Sequence, residues 1–189
     1  MPVRGRVLLV GGMRSGKSRE AERRLGDESH VTYLATGPRD GDDAEWSARV
    51  AAHRARRPAG WHTVETLDVA ATLRATTNDD APVLLDCVNL WLAGVMARAG
   101  CWDASADDSP DAARSAAARL AADVDDFAAA WAASSARVVA VTNEVGMALV
   151  PTTRSGRWFA EELGDLNRRL AEHADEVWQV SVGIATRLR

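Results

Sequence analysis

The chain has 189 residues, 47% hydrophobic and 26% charged, the size and balance of one globular domain with a sizeable core. Its net charge of −4 excludes a surface built for bulk nucleic-acid or membrane binding. Two cysteines, Cys87 and Cys101, supply neither a disulfide framework nor a metal-ligand spacing, and no apolar run reaches signal-peptide or membrane-span length. A cytoplasmic protein, with residues 1–189 as one domain, is therefore expected.

The first apolar run, Arg6-Val7-Leu8-Leu9-Val10, reads as a buried strand. It delivers Gly11-Gly12-Met13-Arg14-Ser15-Gly16-Lys17-Ser18, which fits G-x-x-x-x-G-K-[ST], and a helix-forming stretch over 18–25 follows, with Gly26 as its stop. The lysine in this loop is the only one in the chain: the other 22 of 23 basic residues are arginine. A compact ammonium can fold over a phosphate inside a backbone loop, whereas a planar guanidinium is a poor substitute there. Glycines let successive N–H groups curl around phosphate oxygens at a helix N-terminus. Lys17 is expected to reach the β- and γ-phosphates and Ser18 to ligate Mg²⁺, which points to a nucleotide-using enzyme.

Further along, 31–35 reads as a strand ending at the turn Thr36-Gly37-Pro38, and 43–57 as a helix stopped by Pro58. A short strand at 61–65 and a helix over 67–75 follow. Residues 83–88 are a buried strand, 90–99 a helix and 101–109 an acidic loop. Ser109-Pro110 gives an N-cap with proline at the first helical position, and Leu120, Val124, Phe127 and Trp131 make one apolar stripe. A strand at 137–142 comes next. Phe159, Leu163, Leu166 and Leu170 repeat the stripe in a later helix, and 176–182 forms the final strand. Strands separated by helices predict an α/β fold of three layers, with a mainly parallel sheet covered on both faces.

Ligands of such sheets gather at the carboxyl ends of the strands. Those ends carry the phosphate loop, then Ala35-Thr36-Gly37, then Asp86 as an acid suited to holding Mg²⁺ through water, then Asn143-Glu144-Val145-Gly146. Glu144 reads either as a base or Mg²⁺-orienting group, or as a brace for its own turn, with the brace favoured. His53 sits among Arg49, Arg54, Arg56 and Arg57. On spacing alone the cluster reads as a basic solvated helix face, or as an imidazole kept neutral by guanidiniums that also bind phosphate. A neutral imidazole is a competent nucleophile toward phosphorus. His30, His62 and His173 read as loop, surface and helix-end residues, and the seven tryptophans chiefly as packing.

These motifs, together with Tyr33-Leu34-Ala35-Thr36, Ala48 through His53 to Arg57-Pro58, Trp61, Glu65, Leu84-Leu85-Asp86-Cys87, Leu90-Trp91-Leu92, Val141 to Gly146, Val150-Pro151, Leu166 to Ala171 and Ala174 to Trp178, cover nearly the whole chain. In them the chain resembles the bifunctional adenosylcobinamide kinase / adenosylcobinamide-phosphate guanylyltransferase family. The resemblance implies a P-loop, RecA-like core, an oligomer, and two reactions. ATP or GTP would phosphorylate adenosylcobinamide, and GTP would then pass GMP through a histidine to the phosphorylated product. His53 occupies the position of that histidine and, with Lys17, would be catalytic. Nucleotide contacts would come from Gly11, Gly12, Met13, Arg14, Ser15, Gly16, Lys17 and Ser18, from Ala35, Thr36 and Gly37, from Arg54, Ala55, Arg56 and Arg57, and from Glu65 and Asp86. Ser18 and Asp86 would hold Mg²⁺. The chain departs from the family pattern at Met13, where a smaller residue is expected, and at Ala148, where glycine is. Two other readings compete: a monofunctional P-loop small-molecule kinase, which needs no nucleophilic histidine, and a nucleotide-gated interaction module without turnover.

Overall fold

The computed structural model describes residues 3–37, 44–102, 110–147 and 149–189. Pro38, Asp43, the acidic loop from 103 onward with its N-cap Ser109, and Ala148 fall outside them. The elements run β1 (Arg6–Gly11), α1 (Lys17–Arg24), β2 (Val31–Ala35), α2 (Ala44–Ala55), β3 (Trp61–Glu65), α3 (Val69–Ala75) and β4 (Val83–Asp86). They continue with α4 (Val88–Ala99), α5 (Pro110–Ala133), β5 (Val138–Asn143), α6 (Arg154–His173), β6 (Glu176–Ser181) and β7 (Ile184–Arg187). The seven strands form a sheet of order β3-β2-β4-β5-β1-β6-β7, parallel throughout except that β7 runs antiparallel to β6.

The central strands are apolar through most of their length because both faces are covered, yet period-two geometry still sorts their side chains. Leu8, Leu34, Val83, Leu85, Val138 and Ala140 enter one core with the buried stripes of α4, α5 and α6. Val7, Leu9, Tyr33, Leu84, Val139 and Val141 enter the other, with Ala21 and Leu25 at α1. The predicted stripe of α5 is fully inside, and Phe127 meets Trp91 edge-on at a ring separation of 4.7 Å. Asp86 continues the alternation of Leu84, so it emerges on the face that carries α1 and Tyr33.

Two local expectations differ from the structure. Gly26 does not adopt a left-handed conformation; α1 ends at Arg24, and the Gly26 N–H closes a turn on the Arg23 carbonyl at 3.3 Å. The final strand is not final. After Ser181 the chain reverses through Val182 and Gly183, both at positive φ (46° and 83°), into β7. Positive φ at both central positions suits the right-handed twist of a two-residue hairpin, although a β-branched residue rarely accepts it. The hairpin tip serves the phosphate loop, because the Gly183 N–H donates to the Ser15 carbonyl at 2.8 Å.

Candidate active site

The phosphate loop leaves β1 between that hairpin and the start of α1. A Cβ on Gly11 would lie 2.2 Å from the Val180 carbonyl oxygen, and Gly16 caps α1 at φ 101°, so each position requires glycine. No side chain caps the helix, which leaves its first N–H groups turned to the loop. Lys17 folds back over the loop, its Nζ donating to the Gly12 carbonyl at 2.7 Å. Burial pulls its pKa below the ordinary value, while Cys87 and Asp86 oppose the shift. The Cys87 thiol is itself pushed up to about 12, first by burial, so at neutral pH Asp86 is the counter-charge that matters.

Asp86, at the end of β4, is held from two sides. Ser18 donates to its Oδ1 at 3.2 Å and the Tyr33 hydroxyl to its Oδ2 at 2.6 Å. Tyr33 is the one tyrosine of the chain and is buried, and burial first, then Asp86, pushes its pKa far up. It stays a hydrogen-bond donor at any physiological pH. The Arg57 guanidinium stacks 3.2 Å above its ring and donates to Thr63 Oγ1 at 3.0 Å. Tyr33 thus ties the acid of β4 to the basic segment after α2. Tyr33→Phe removes one charge-assisted bond from a partly exposed carboxylate, and is expected to lower the unfolding free energy in urea by about 1.5 kcal/mol.

Thr36 has a different task from a surface contact. Its buried hydroxyl donates to the Cys87 carbonyl at 2.7 Å and accepts the Cys87 N–H at 3.0 Å, which locks the ends of β2 and β4 together beside Asp86. Glu144 accepts the Gly146 N–H at 2.6 Å, bracing its own turn as favoured above. On α2, His53 lies near Glu22 of α1 and Arg56. Burial lowers its pKa first of all; Arg56 and Arg57 also lower it, against Asp86 and Glu22. The ring is therefore neutral near pH 7. Arg54 pairs with Glu65 at 2.7 Å.

Lys17, Asp86, Tyr33, His53 and Arg57 line one open cleft of about 950 Å³. Of the sequence-derived candidates, the cleft is lined by Met13, Arg14, Ser15, Gly16, Lys17, Ser18, Ala35, Gly37, His53, Arg54, Arg56, Arg57, Glu65 and Asp86. Gly11, Gly12, Thr36 and Ala55 are not in its lining: Gly11 packs on β6, Gly12 offers its carbonyl to Lys17, Thr36 turns inward, and Ala55 is exposed at the end of α2. Thr63 and Asn89 line it without having been singled out, and Tyr33, Leu90 and Asn143, quoted above only within motifs, line it as well. Among the described residues, the buried side-chain atoms without a hydrogen-bond partner include Ser15 Oγ, Arg57 Nε and Asn89 Oδ1, all from this lining. Orphaned polar atoms clustered in one cleft suit a polar ligand.

The family model described as cobinamide kinase / cobinamide phosphate guanyltransferase matches residues 7–188. The chain belongs to that family. It is 39% identical over 186 residues to the bifunctional adenosylcobalamin biosynthesis protein CobU of Escherichia coli K12, covering 97% of this chain and 99% of that one. To the CobU protein of Salmonella typhimurium LT2 it is 38% identical over 188 residues, with the same coverage. A solved structure of the P4 protein from bacteriophage phi6 in complex with ADP aligns over 96% of this chain and 52% of that chain, at 15% identity and a TM-score of 0.39. Family membership covers nearly the whole sheet and every wall of the cleft. No described helix is long and apolar enough to cross a membrane.

Proposed function

We propose that this chain performs both reactions of its family in the one cleft, acting as a single nucleotide-binding domain. In the first, ATP or GTP phosphorylates the aminopropanol hydroxyl of adenosylcobinamide. In the second, GTP transfers GMP to His53, and the cobinamide phosphate then takes the GMP to give adenosylcobinamide-GDP. The observation that carries this reading is that His53 and the phosphate-loop lysine line the same cleft.

A neutral imidazole nitrogen attacks the α-phosphorus, the bond to pyrophosphate breaks, and its electron pair leaves with the pyrophosphate. The acceptor's phosphate oxygen later attacks the same phosphorus, and the P–N bond returns its pair to the ring. Lys17 and the N-terminal N–H groups of α1 stabilise charge on the phosphates, while Arg54, Arg56 and Arg57 line the wall beside the histidine. The pair Ser18 and Asp86 fits Mg²⁺, a hard cation that takes one or two protein oxygens and completes its shell with water and phosphate. When bound, it neutralises charge on the β- and γ-phosphates. Exposed Met147, Leu149 and Val150 beside the β5 turn, and Val182, Ile184 and Leu188 at the β7 edge, support a homo-oligomer. A cytoplasmic location accords with this role.

Incubation with α-labelled GTP tests the reading. Acid-labile, base-stable label on His53 is the expected result; a folded protein that phosphorylates adenosylcobinamide without taking label is a plain kinase. The sign of the pH dependence follows from the lowered imidazole pKa. Label formation rises with pH as the ring loses its proton, and that limb lies below the ordinary value of 6.5. A midpoint above 6.5 in labelling at GTP well below saturation, where the free enzyme is reported, would contradict it.

A further inference from the structure

Glu22 reaches from α1, the helix opened by the phosphate loop, to the imidazole on α2. Its carboxylate receives Arg56, with Nε 3.3 Å from Oε2 and Nη2 3.4 Å from Oε1. The same Nη2 stands 3.2 Å from His53 Nδ1, and Glu22 Oε1 is 3.8 Å from that nitrogen. A guanidinium can only donate, so Nδ1 accepts, and the neutral ring carries its proton on Nε2. In that tautomer Nε2 has no lone pair with which to attack phosphorus. Only the opposite tautomer, with the proton on Nδ1, frees it.

Glu22 stands ready to accept a hydrogen bond from that Nδ1–H. The obstacle is Arg56, which lies between carboxylate and ring and also lines the nucleotide cleft. A triphosphate competes for the guanidinium with several charged oxygens. Once Arg56 turns to the phosphates, Oε1, now 3.8 Å from Nδ1, has about 1 Å to close to reach a hydrogen bond with it. Among the described residues, the charged groups acting on the ring besides Arg56 and Glu22 are Asp86 from β4 and Arg57.

We propose that Glu22 is a positioning residue for His53: nucleotide binding draws Arg56 off Nδ1, Glu22 takes the Nδ1–H, and Nε2 is left free for the α-phosphorus. The inference rests on guanylyl transfer through His53. As the Nε2–P bond forms, the ring gains positive charge beside the Glu22 carboxylate, its proton stays on Nδ1, and the P–O bond to pyrophosphate breaks. Orientation of an imidazole by a carboxylate is how a hydrolase triad fixes its tautomer. Here the carboxylate comes from the phosphate-loop helix, so the nucleophile is readied by the helix that holds its substrate.

Protein labelled with ¹⁵N-histidine, its four ring systems assigned with the aid of His53→Gln, reports the tautomer directly. Without nucleotide, His53 should show Nε2–H; with α,β-methylene-GTP, it should show Nδ1–H. The guanylylated enzyme should carry phosphorus on Nε2. In single-turnover labelling, Glu22→Met should slow guanylyl-enzyme formation about 10–100-fold. Glu22→Gln keeps the shape, but its amide can donate to Nδ1 and hold the unreactive tautomer, so it should be slowed as well, with Nε2–H persisting when nucleotide is bound. Nε2–H in the bound state of the parent, phosphorus on Nδ1, or labelling by Glu22→Met or Glu22→Gln as fast as the parent would each overturn the inference. Failure of the parent enzyme to take any label would instead remove the guanylyl-transfer reading beneath it.

Discussion

His53→Ala should abolish guanylyl transfer while leaving a folded protein that still phosphorylates adenosylcobinamide. His53 is the one histidine among the described residues of the cleft lining, so label from α-labelled GTP should fall on the order of 10⁴-fold or more. The fold has little reason to change. His53 lies near the end of α2, its side chain is 25% exposed, and alanine is the better helix former. On the proposed reading the kinase half would use Lys17, Ser18 and Asp86; Lys17 holds the Gly12 carbonyl and Ser18 holds Asp86, and neither contact passes through the imidazole. Assaying both products on one preparation, with a circular-dichroism melt as the control for folding, separates the two halves. Equal loss of both activities in a folded variant would defeat the division of labour.

Much of the site was legible because chain order and strand ends fix it. The phosphate loop, Ala35, Gly37 and Asp86 all follow apolar runs, and in a parallel sheet those ends converge. The layers were legible for a similar reason: Val83-Leu84-Leu85 is apolar throughout, as a strand covered on both faces must be. What escaped depends on contacts between elements. Tyr33 meets Asp86 because β2 pairs with β4 in the register Tyr33 to Leu84 and Ala35 to Asp86, and no local pattern encodes that register. Its signals were being the only tyrosine, two residues before a strand end, and opening the Tyr33-Leu34-Ala35-Thr36 motif, neither of which says what it contacts. Thr36 sits beside cleft residues, yet its hydroxyl serves Cys87 instead. Glu22 reads as an ordinary solvated position of α1 until α2 lies against it. The β6–β7 hairpin was missed because Val182-Gly183 lacks the Asn or Asp that marks such turns.

Lys17→Met should cost both reactions on the order of 10²–10³-fold, the scale of losing one preorganised electrostatic contact to a transferring phosphoryl group. The protein should lose no stability with it. Lys17 is only 7% exposed, and burial already disfavours its charge, so an unbranched apolar side chain of similar length relieves a desolvation cost. A melting temperature equal to the parent's or higher is the expected companion result. A collapsed melt would make Lys17 a structural cation, and activity within tenfold of the parent would remove it from catalysis. Lys17→Arg sharpens the test, because this chain uses arginine at 22 of its 23 basic positions. If positive charge were all the loop required, that variant would work. The ammonium instead lies 2.7 Å from the Gly12 carbonyl, inside its own loop, a position that a planar five-donor fork cannot share without displacing the backbone. Lys17→Arg should therefore remain close to Lys17→Met in both reactions, with charge restored and shape still wrong.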